Sequence, residues 1–428
     1  LEMITSGKSV DAIKAEQLGI LDQIATGAPA EIGLAFAQEI LKNGRSPRRT
    51  AALPTPTPVD FDAWHAKALK TGRGQIAPAT AVRAIQAASE LPFPEGLVTE
   101  RALFVDLMAS PQREGLIHAF FAERAVSKLP ELKGITARAT NRVGVVGGGT
   151  MGVGIATAAL LSGLDVVLVE QDTAAADKAQ AAIAANLAGA VKRGKLAEAA
   201  KTDMLKSSLQ TSTDYSSLAS ADLVIEAVFE SMDVKKEVFA TLDRVCKPGA
   251  VLATNTSYLD INEIAAATNR LADVIGLHFF SPAHVMKLLE IVVADATAPE
   301  VVATGFALAK RLRKIAVRAG VCDGFIGNRI LAHYRTAVDN MVLDGASPYQ
   351  VDKALVSFGM AMGPFAVSDL AGLDIGWATR KRKAGARHPK DRVPTFADRL
   401  CEMGRFGRKT GRGFYLYPEG QRSGTPDP

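Results

Sequence analysis

The sequence predicts an α/β fold in which a doubly wound parallel sheet is followed by an all-helical C-terminal domain. Segments typical of strands and of helices alternate after residue 141, through "RVGVVGGG", "LDVVLVEQD", "ADLVIEAVFE" and "GAVLATNTS". Alternation of this kind indicates parallel strands that are connected by helices. From Cys322 onward the pattern changes to helices and turns, and residues 1–140 are also predicted to be mainly helical.

The composition is that of a globular chain with room for two or three domains, since 48% of the 428 residues are hydrophobic and 22% are charged. The net charge of +5 comes without a dense Lys/Arg run, so we predict no nucleic-acid partner. The three cysteines lie far apart, which predicts no metal site or disulfide scaffold and fits a reducing compartment. The uncharged run 143–164 is long enough to span a bilayer, but its glycines would break a helix, so we predict no membrane span.

Changes of pattern divide the chain into four parts. Residues 1–27 indicate a short helix, a glycine turn and a strand, and the later stretch "SPRRTAALPTPTPVDFD" has the composition of a linker. A further boundary is predicted within 130–141. We therefore expect an N-terminal region at 1–140, a sheet domain at 141–321, a helical domain at 322–417 and a flexible tail at 418–428.

Three glycines with the spacing Gly147-x-Gly149-x-x-Gly152 follow the first strand and open a helix. The first permits a tight turn, the second lets the backbone approach a pyrophosphate, and the third lets helix and strand pack closely. The helix N-terminus adds free N–H groups and positive potential for phosphates. This context predicts a dinucleotide-binding Rossmann domain with Thr150 and Met151 among the cofactor contacts, and a glycine turn that binds nothing is the alternative.

An acidic residue, Glu170, ends the next strand, about 20 residues further on, as the dinucleotide pattern requires. A carboxylate in that place accepts a hydrogen bond from the ribose 2′-hydroxyl and repels a 2′-phosphate. The residues that follow are Gln171 and Asp172, so no arginine is present to receive a phosphate. The sequence therefore predicts NAD as the cofactor rather than NADP.

The stretch "IGLHFFSPAHVMKLLEIV" at residues 275–292 places two histidines and a glutamate in an otherwise apolar run. It is typical of two short buried strands broken by a Ser-Pro turn. His278 would lie at the end of the first strand and Glu290 inside the second, where an unpaired carboxylate is costly. On these residues alone, a structural histidine with a salt-bridged glutamate is the ordinary interpretation, and a catalytic pair is the other.

Together the motifs resemble those of the L-3-hydroxyacyl-CoA dehydrogenases, above all the dehydrogenase part of bifunctional enoyl-CoA hydratase/3-hydroxyacyl-CoA dehydrogenases of fatty-acid β-oxidation. They follow the family's order over residues 142–417: "GVVGGGTMGVGIA", "ADLVIEAVFESMDVKKEVF", "ATNTSYL", "GLHFFSPAHVMKLLEIV", "CDGFIGNRIL", "GPFAVSDLAGLDIGW" and "RKTGRGFYLY". More loosely, "SGKSVDAIKAEQLGILDQI" is similar to the end of a crotonase-type hydratase domain. The resemblance implies NAD-dependent oxidation of (S)-3-hydroxyacyl-CoA to 3-ketoacyl-CoA, with acyl-CoA as the substrate.

The resemblance also implies that His278 is the general base and acid, and that Glu290 orients it. Histidine suits this role because its side chain titrates near neutral pH, and a buried carboxylate fixes its tautomer and stabilises the imidazolium. Ser257, in "NTS", matches the residue that hydrogen-bonds the reacting oxygen, with a helix N-cap as the alternative. Asn328, in "GNR", matches a donor to the developing carbonyl. His284 matches no catalytic position, and we take it as a loop residue.

Further matched residues would contact the two ligands. The family's cofactor contacts correspond to Glu230, Lys235, Ser257, Ser281 and Lys409. Its substrate and CoA contacts correspond to Ser257, Asn186, Arg193 and Asn328. A cation such as Arg193 suits the phosphates of CoA, whereas a solvated helix face is the alternative for that segment. Ser281 is itself a departure, because many single-function members carry Asn there.

Other departures limit what the resemblance implies. The N-terminal region lacks the part of a hydratase domain where paired catalytic glutamates would lie, so we expect a fragment of a bifunctional protein that does not itself hydrate enoyl-CoA. The C-terminal helical domain occurs once, which should leave an apolar face exposed and favour self-association. We expect the cytoplasm for a bacterial protein and the peroxisome for a eukaryotic one. Another hydroxyacid dehydrogenase of this architecture, or an inactive NAD-binding protein, stays open as an alternative.

Overall fold

The computed structural model describes residues 1–46, 48–52, 59–421 and 423–427. They form two compact units, of which the first comprises residues 1–119 and 354–361 and the second comprises the other described residues. Part of the predicted linker, at residues 47 and 53–58, lies outside the described residues. The same is true of residues 422 and 428 in the predicted tail.

The first unit is helical, as predicted. Its helices are α1 (Glu2–Ser6), α2 (Ala12–Gln17), α3 (Pro29–Lys42), α4 (Phe61–Gly72), α5 (Ala77–Glu90) and α6 (Phe93–Met108), and α7 (Pro111–Ala125) begins in it. Its small core joins Ala68, Ala79 and Val82 with Trp64. The strand predicted within residues 1–27 is wrong, because these residues form two short helices and turns and the described part of this unit holds no strand to pair with.

The second unit contains an eight-stranded sheet. Its strands are β1 (Arg142–Val146), β2 (Asp165–Val169), β3 (Leu209–Ser212), β4 (Leu223–Glu226), β5 (Val251–Thr254), β6 (Val274–Phe279), β7 (Leu288–Val293) and β8 (Ile315–Gly320). They lie in the order β3-β2-β1-β4-β5-β6-β7-β8, and all neighbours are parallel except β6 and β7. The central strands are continuous apolar runs because both of their faces are buried. The predicted doubly wound sheet is confirmed, with one antiparallel pair in it.

Helices cover both faces of this sheet. They are α8 (Thr150–Leu161), α9 (Thr173–Lys192), α10 (Glu198–Asp203), α11 (Met232–Val245), α12 (Ile261–Ala265) and α13 (Pro299–Arg311). One core cluster packs Ile155 of α8 and Ile183 of α9 against the sheet, and a second packs Phe239 of α11 and Ile264 of α12 against it. The apolar run 143–164 thus forms β1, a turn and a short buried helix. No described helix has the length and apolarity to cross a membrane.

The C-terminal part of this unit is helical, as predicted from Cys322 onward. Its helices are α14 (Gly327–Leu343), α15 (Pro348–Phe358), α16 (Pro364–Ala371), α17 (Leu373–Lys383) and α18 (Thr395–Glu402), and residues 354–358 of α15 are assigned to the first unit. Two buried carboxylates hold it together. Asp352 accepts hydrogen bonds from the backbone N–H groups of Phe365 and Ala366, and Asp369 accepts them from Phe414 and Tyr415. The motifs "GPFAVSD" and "GRGFYLY" therefore meet around these acids.

The predicted flexible tail needs correction. Strand β9 (Tyr415–Leu416) pairs with β10 (Thr425–Pro426) in an antiparallel ribbon. Asp427 accepts hydrogen bonds from Arg405 and Arg412, each at 2.8 Å. Polar composition made these residues appear free, whereas ionic and backbone hydrogen bonds attach the described end of the chain to the helical part.

The strand order reverses direction between β1 and β4, which is where a doubly wound sheet opens a crevice at the carboxyl ends of its strands. The glycine turn lies at this point. Gly147 has a φ of 96°, a region that favours glycine, and a Cβ on Gly152 would lie 1.8 Å from the carbonyl oxygen of Gly147. A Cβ on Gly149 would meet no described atom within 4 Å, so that side of the turn is open.

We expect Gly152→Ala to lower the free energy of unfolding by about 3 kcal/mol, because the added methyl group collides with backbone that cannot rotate away. Gly149→Ala is the matched control, since its φ of −70° suits alanine and its Cβ would be unobstructed. Thermal unfolding followed by circular dichroism measures both. Equal midpoints for the two variants would contradict the close packing assigned to Gly152.

Candidate active site

A cavity of about 250 Å³ opens at the carboxyl ends of β1, β4 and β5. It is lined by Met151, Ala227, Val228, Glu230, Lys235, Asn255, Ser257 and Tyr258. Four of the residues predicted from the sequence, Met151, Glu230, Lys235 and Ser257, therefore lie around one space. They come from three separate βα connections, which the strand order brings to the same edge of the sheet.

The next pair of strands brings His278 and Glu290 together. Because β6 and β7 are antiparallel, the two residues are direct partners in the register, and the Ser281–Pro282 turn that joins the strands contains a cis peptide bond. Nδ1 of His278 lies 2.6 Å from Oε2 of Glu290. Both side chains are buried, with 3% and 1% of their surfaces exposed. The buried carboxylate of Glu290 thus has a partner, the imidazole of His278.

The other carboxylate oxygen of Glu290 is also satisfied. Oε1 accepts hydrogen bonds from the backbone N–H groups of Ile326 at 3.1 Å and Gly327 at 2.7 Å, where α14 begins. A Cβ on Gly327 would lie 2.9 Å from the ring of Phe280, so glycine lets the helix start come close to the strand. Phe280 and Phe325 in turn contact the imidazole, with ring centroids 4.5 and 5.6 Å away.

This arrangement fixes the role of each imidazole nitrogen. An ionised carboxylate only accepts hydrogen bonds, so Nδ1–H of His278 donates to Glu290 and Nε2 carries the free lone pair. The carboxylate would also stabilise the imidazolium once Nε2 has taken a proton. A buried, oriented imidazole of this kind can act as a general base and then as a general acid.

The cavity wall contains a second buried ionic network. Oε1 of Glu226 accepts from the ammonium of Lys235 at 2.7 Å and from the N–H of Val228 at 2.7 Å. Oε2 of Glu226 accepts from the hydroxyl of Thr254 at 2.7 Å. Lys235 also lies 3.3 Å from Oε2 of Glu230. Three donors, one of them a buried cation, compensate the burial of Glu226, which is fully enclosed.

Glu230 connects this network to Ser257. Its Oε1 accepts from the N–H of Ser257 at 2.8 Å and from the hydroxyl of Thr256 at 2.6 Å. The side chain of Asn255 accepts from the N–H of Phe279 at 2.9 Å, which ties the end of β5 to the end of β6. The loop that carries Ser257 is therefore held between the charged network and the strand that carries His278.

Glu226 and Asn255 are the members of this site that sequence reasoning missed. Glu226 is the last residue of the strand in "DLVIEA", and its signal was an acid at the end of an otherwise apolar strand. Asn255 stands beside Ser257 in "NTS", again directly after a strand. The carboxyl ends of strands are where a doubly wound sheet places its site residues, so position alone could have found both.

The glycine turn fits a dinucleotide. Gly149 leaves open space beside the N-terminus of α8, and the carboxylate of Glu170 lies against the same turn, accepting from the N–H groups of Gly148 and Gln171. Glu170 directly follows β2, where a ribose hydroxyl would be received. Thr150 and Met151 form the first turn of α8, and Met151 also lines the cavity.

Other predicted residues lie away from the cavity lining. Asn328 is the second residue of α14, next to Gly327, and is half-buried. Ser281 is exposed at the turn between β6 and β7. Lys409 lies on the 3-10 turn Arg408–Thr410 and donates to Asp374 at 2.6 Å. No contact described for Lys409 reaches the residues that line the cavity.

The predicted CoA contacts lie along α9. Asn186 donates to the hydroxyl of Thr157 at 3.3 Å, and Arg193 is exposed at the C-terminal end of the helix. His284 lies in the loop between β6 and β7, as expected. Burial lowers the pKa of His284, and the charges of Arg193 and Lys314 lower it further. Burial also lowers the pKa of Lys314 to about 8.

Residues 142–322 match the family domain described as "3-hydroxyacyl-CoA dehydrogenase, NAD binding domain", and residues 324–417 match "3-hydroxyacyl-CoA dehydrogenase, C-terminal domain". The peroxisomal bifunctional enzyme of Cavia porcellus is 43% identical, over 100% of this chain and 62% of its own length. The chain thus spans about 62% of the length of the curated relatives that it matches.

Two solved structures resemble the dehydrogenase part. FadB2 of M. tuberculosis is 40% identical with a TM-score of 0.62, over 65% of this chain and 100% of its own. (S)-3-hydroxybutyryl-CoA dehydrogenase PaaH1 of Ralstonia eutropha is 35% identical with a TM-score of 0.61, over 66% of this chain and 100% of its own. With the glycine turn, the His278–Glu290 pair and both family domains present, the chain belongs to the 3-hydroxyacyl-CoA dehydrogenase family.

Proposed function

We propose that this chain oxidises (S)-3-hydroxyacyl-CoA to 3-ketoacyl-CoA with NAD⁺, as the dehydrogenase part of a fatty-acid β-oxidation multifunctional enzyme. One observation carries the proposal: a buried imidazole, bound through Nδ1 to a buried carboxylate, lies at the edge of the sheet next to a dinucleotide crevice. The pair supports catalysis over cofactor binding alone, because it leaves Nε2 of His278 with a free lone pair, which a protein that only binds NAD does not require.

The mechanism follows from the positions of the side chains. When bound, NAD⁺ supplies the acceptor for the hydride that leaves the alcohol carbon. Nε2 of His278 takes the hydroxyl proton, and Glu290 stabilises the resulting imidazolium. We assign the hydrogen bond to the reacting oxygen to Ser257, whose backbone is fixed by Glu230, and we assign Asn328 as a further donor to that oxygen.

The proposed ligand contacts divide between the cofactor and CoA. The glycine turn with Thr150 and Met151 would hold the pyrophosphate, and Glu170 the ribose. We keep Glu230, Lys235, Ser281 and Lys409 as cofactor contacts, although Ser281 and Lys409 would need the bound cofactor to extend beyond the cavity lining. Asn186 and Arg193 would receive the phosphates of an acyl-CoA substrate, which suits a guanidinium.

We propose the domain division made from the sequence, with the Rossmann domain at 141–321 and the helical domain at 322–417. The helical domain exposes several large apolar side chains, of which Ile330 is 64%, Leu331 51%, Leu370 56% and Ile375 59% exposed. Apolar surface of this extent on one helical domain is typical of an interface. We infer that a second helical domain covers it, through self-association of this chain.

The whole protein and its compartment are also proposals. Curated relatives are peroxisomal or glyoxysomal multifunctional enzymes. Residues 1–119 form most of a helical unit that precedes the dehydrogenase part in the sequence. We infer that the complete protein also hydrates enoyl-CoA, by active-site residues that these 428 residues do not include. We place it in the peroxisome of a eukaryote or in the cytoplasm of a bacterium.

We expect the chain to oxidise NADH in the presence of acetoacetyl-CoA, and His278→Gln to lower kcat by roughly 10²- to 10⁴-fold because the general acid is lost. His284→Gln, which changes the other histidine of the 275–292 stretch, is the matched control and should retain activity. The same assay with NADPH in place of NADH tests which of the two cofactors the chain uses. Turnover that survives in His278→Gln, or binding of NADH without any turnover in the unmodified chain, would contradict the proposal.

We expect Glu290→Gln to lower kcat by about 10³-fold or more while the chain still folds. Glutamine Oε1 would accept from Ile326 and Gly327, which leaves its NH₂ group facing His278 and forces Nδ1 to accept. The proton would then occupy Nε2, so the base would have no free lone pair. Glu300→Gln, an exposed glutamate on α13, is the control, and equal kcat values for both variants would exclude the orienting role.

We expect Glu170→Ala to reduce the preference for NADH over NADPH by roughly tenfold, because the ribose loses an acceptor and the 2′-phosphate loses a repulsive charge. Asp172→Asn is the control, because it removes a charge two residues away and keeps the helix cap. In that cap, Asp172 accepts a hydrogen bond from the N–H of Ala175 at 2.8 Å. Ratios of kcat/KM for the two cofactors measure the effect. An unchanged ratio in Glu170→Ala would show that another residue selects the cofactor.

A further inference from the structure

The charges in the cavity wall do not cancel. Glu226, Glu230 and Lys235, which we call the charged triad, contain two carboxylates and one ammonium, and their ion pairs measure 2.7 and 3.3 Å. Glu226 accepts hydrogen bonds from three donors. Glu230 accepts them from Ser257 and Thr256 and forms an ion pair with Lys235, a pattern that suits ionised carboxylates. The triad therefore carries a net charge of one negative unit.

This excess charge lies where the nicotinamide half of a dinucleotide would be. Glu230 and Lys235 are the charged groups among the described residues that line the cavity, together with Met151 of the fingerprint helix and Ser257. In a doubly wound sheet the dinucleotide crosses the point where the strand order reverses, from the β1–β2 side to the β4–β5 side. The triad occupies the β4–β5 side, and Glu226 and Lys235 are shielded from water because at most 1% of each is exposed.

The two redox states of the cofactor differ in this half. The nicotinamide ring of NAD⁺ carries a positive charge, and the ring of NADH is neutral. A negative charge in a cavity wall that excludes water attracts the charged ring of NAD⁺ and has little effect on the neutral ring of NADH. The attraction is stronger there than in bulk water. Binding energy that differs between the two states changes their equilibrium on the enzyme.

We propose that the charged triad sets the redox balance of the bound cofactor by binding NAD⁺ more tightly, relative to NADH, than a neutral wall would. The inference rests on the proposed NAD-dependent function and adds a role for Glu226, which cannot touch a ligand because it is fully buried. Glu226 acts as a positioning and charge-supplying residue through Lys235 and Glu230.

Glu226→Gln tests this directly. The amide is isosteric and can still accept from Val228 and Lys235, so it removes the charge and keeps the shape. We expect the ratio of Kd for NAD⁺ to Kd for NADH to rise roughly tenfold. For a two-electron couple that corresponds to a rise of about 30 mV in the midpoint potential of the bound cofactor. Calorimetric titration of the whole chain with each nucleotide, without substrate, measures the ratio.

Two further variants sharpen the result. Glu230→Gln removes the other negative charge and should move the ratio in the same direction, which keeps the test usable if Glu226→Gln does not fold. Glu237→Gln removes a glutamate from the exposed face of the same helix, α11, and should leave the ratio unchanged.

The outcomes separate the two claims. Equal weakening of NAD⁺ and NADH in Glu226→Gln and Glu230→Gln would show that the triad only shapes the wall, and would overturn the inference while NAD binding stands. An equal shift in Glu237→Gln would overturn it as well, because the effect would then be one of overall charge. Failure of the unmodified chain to bind either nucleotide would overturn the proposed function, and this inference with it.

Discussion

The hydrogen bonds of Glu290 connect the parts of this site more than any other interaction. A carboxylate inside an apolar strand is unstable without donors, and here each oxygen has its own: His278 for one, and the N–H groups of Ile326 and Gly327 for the other. The same side chain therefore contacts both the imidazole of His278 and the first turn of the helical domain.

The antiparallel pairing of β6 and β7 makes this possible. Had β7 run parallel to β6 like its other neighbours, residues twelve apart in sequence could not have faced each other across a short turn. The register instead sets His278 opposite Glu290, and the side chains leave the sheet on the same face. The geometry of the His278–Glu290 pair follows from strand pairing, and Gly327 completes it by letting the helix start approach Phe280.

Much of this could be predicted from the sequence, and the reasons for the remainder are physical. The glycine spacing and Glu170 predicted the dinucleotide crevice because backbone conformation and strand-end position leave a local signature. The resemblance to the family, rather than local spacing, implied that His278 and Glu290 act as a pair. The strand-end position of Glu226 is also visible in the sequence, but its contact with Lys235 is not, because Lys235 comes from the following helix and the contact depends on how that helix packs. The end of the chain was mistaken for a free tail for the same reason, since Asp427 meets Arg405 and Arg412 only in three dimensions.

The division of Glu290 between two tasks has a consequence for the chemistry. Two backbone N–H groups at the start of α14 share the negative charge of Glu290 with His278, as the positive end of a helix dipole does. If the helical domain moved away, those donors would leave, and Oε1 of Glu290 would be a buried acceptor without a partner. The start of α14 and the orientation of the His278 ring therefore depend on the same carboxylate. In the proposed reaction the position of the helical domain and the orientation of the base would be set together, because a single buried carboxylate serves both.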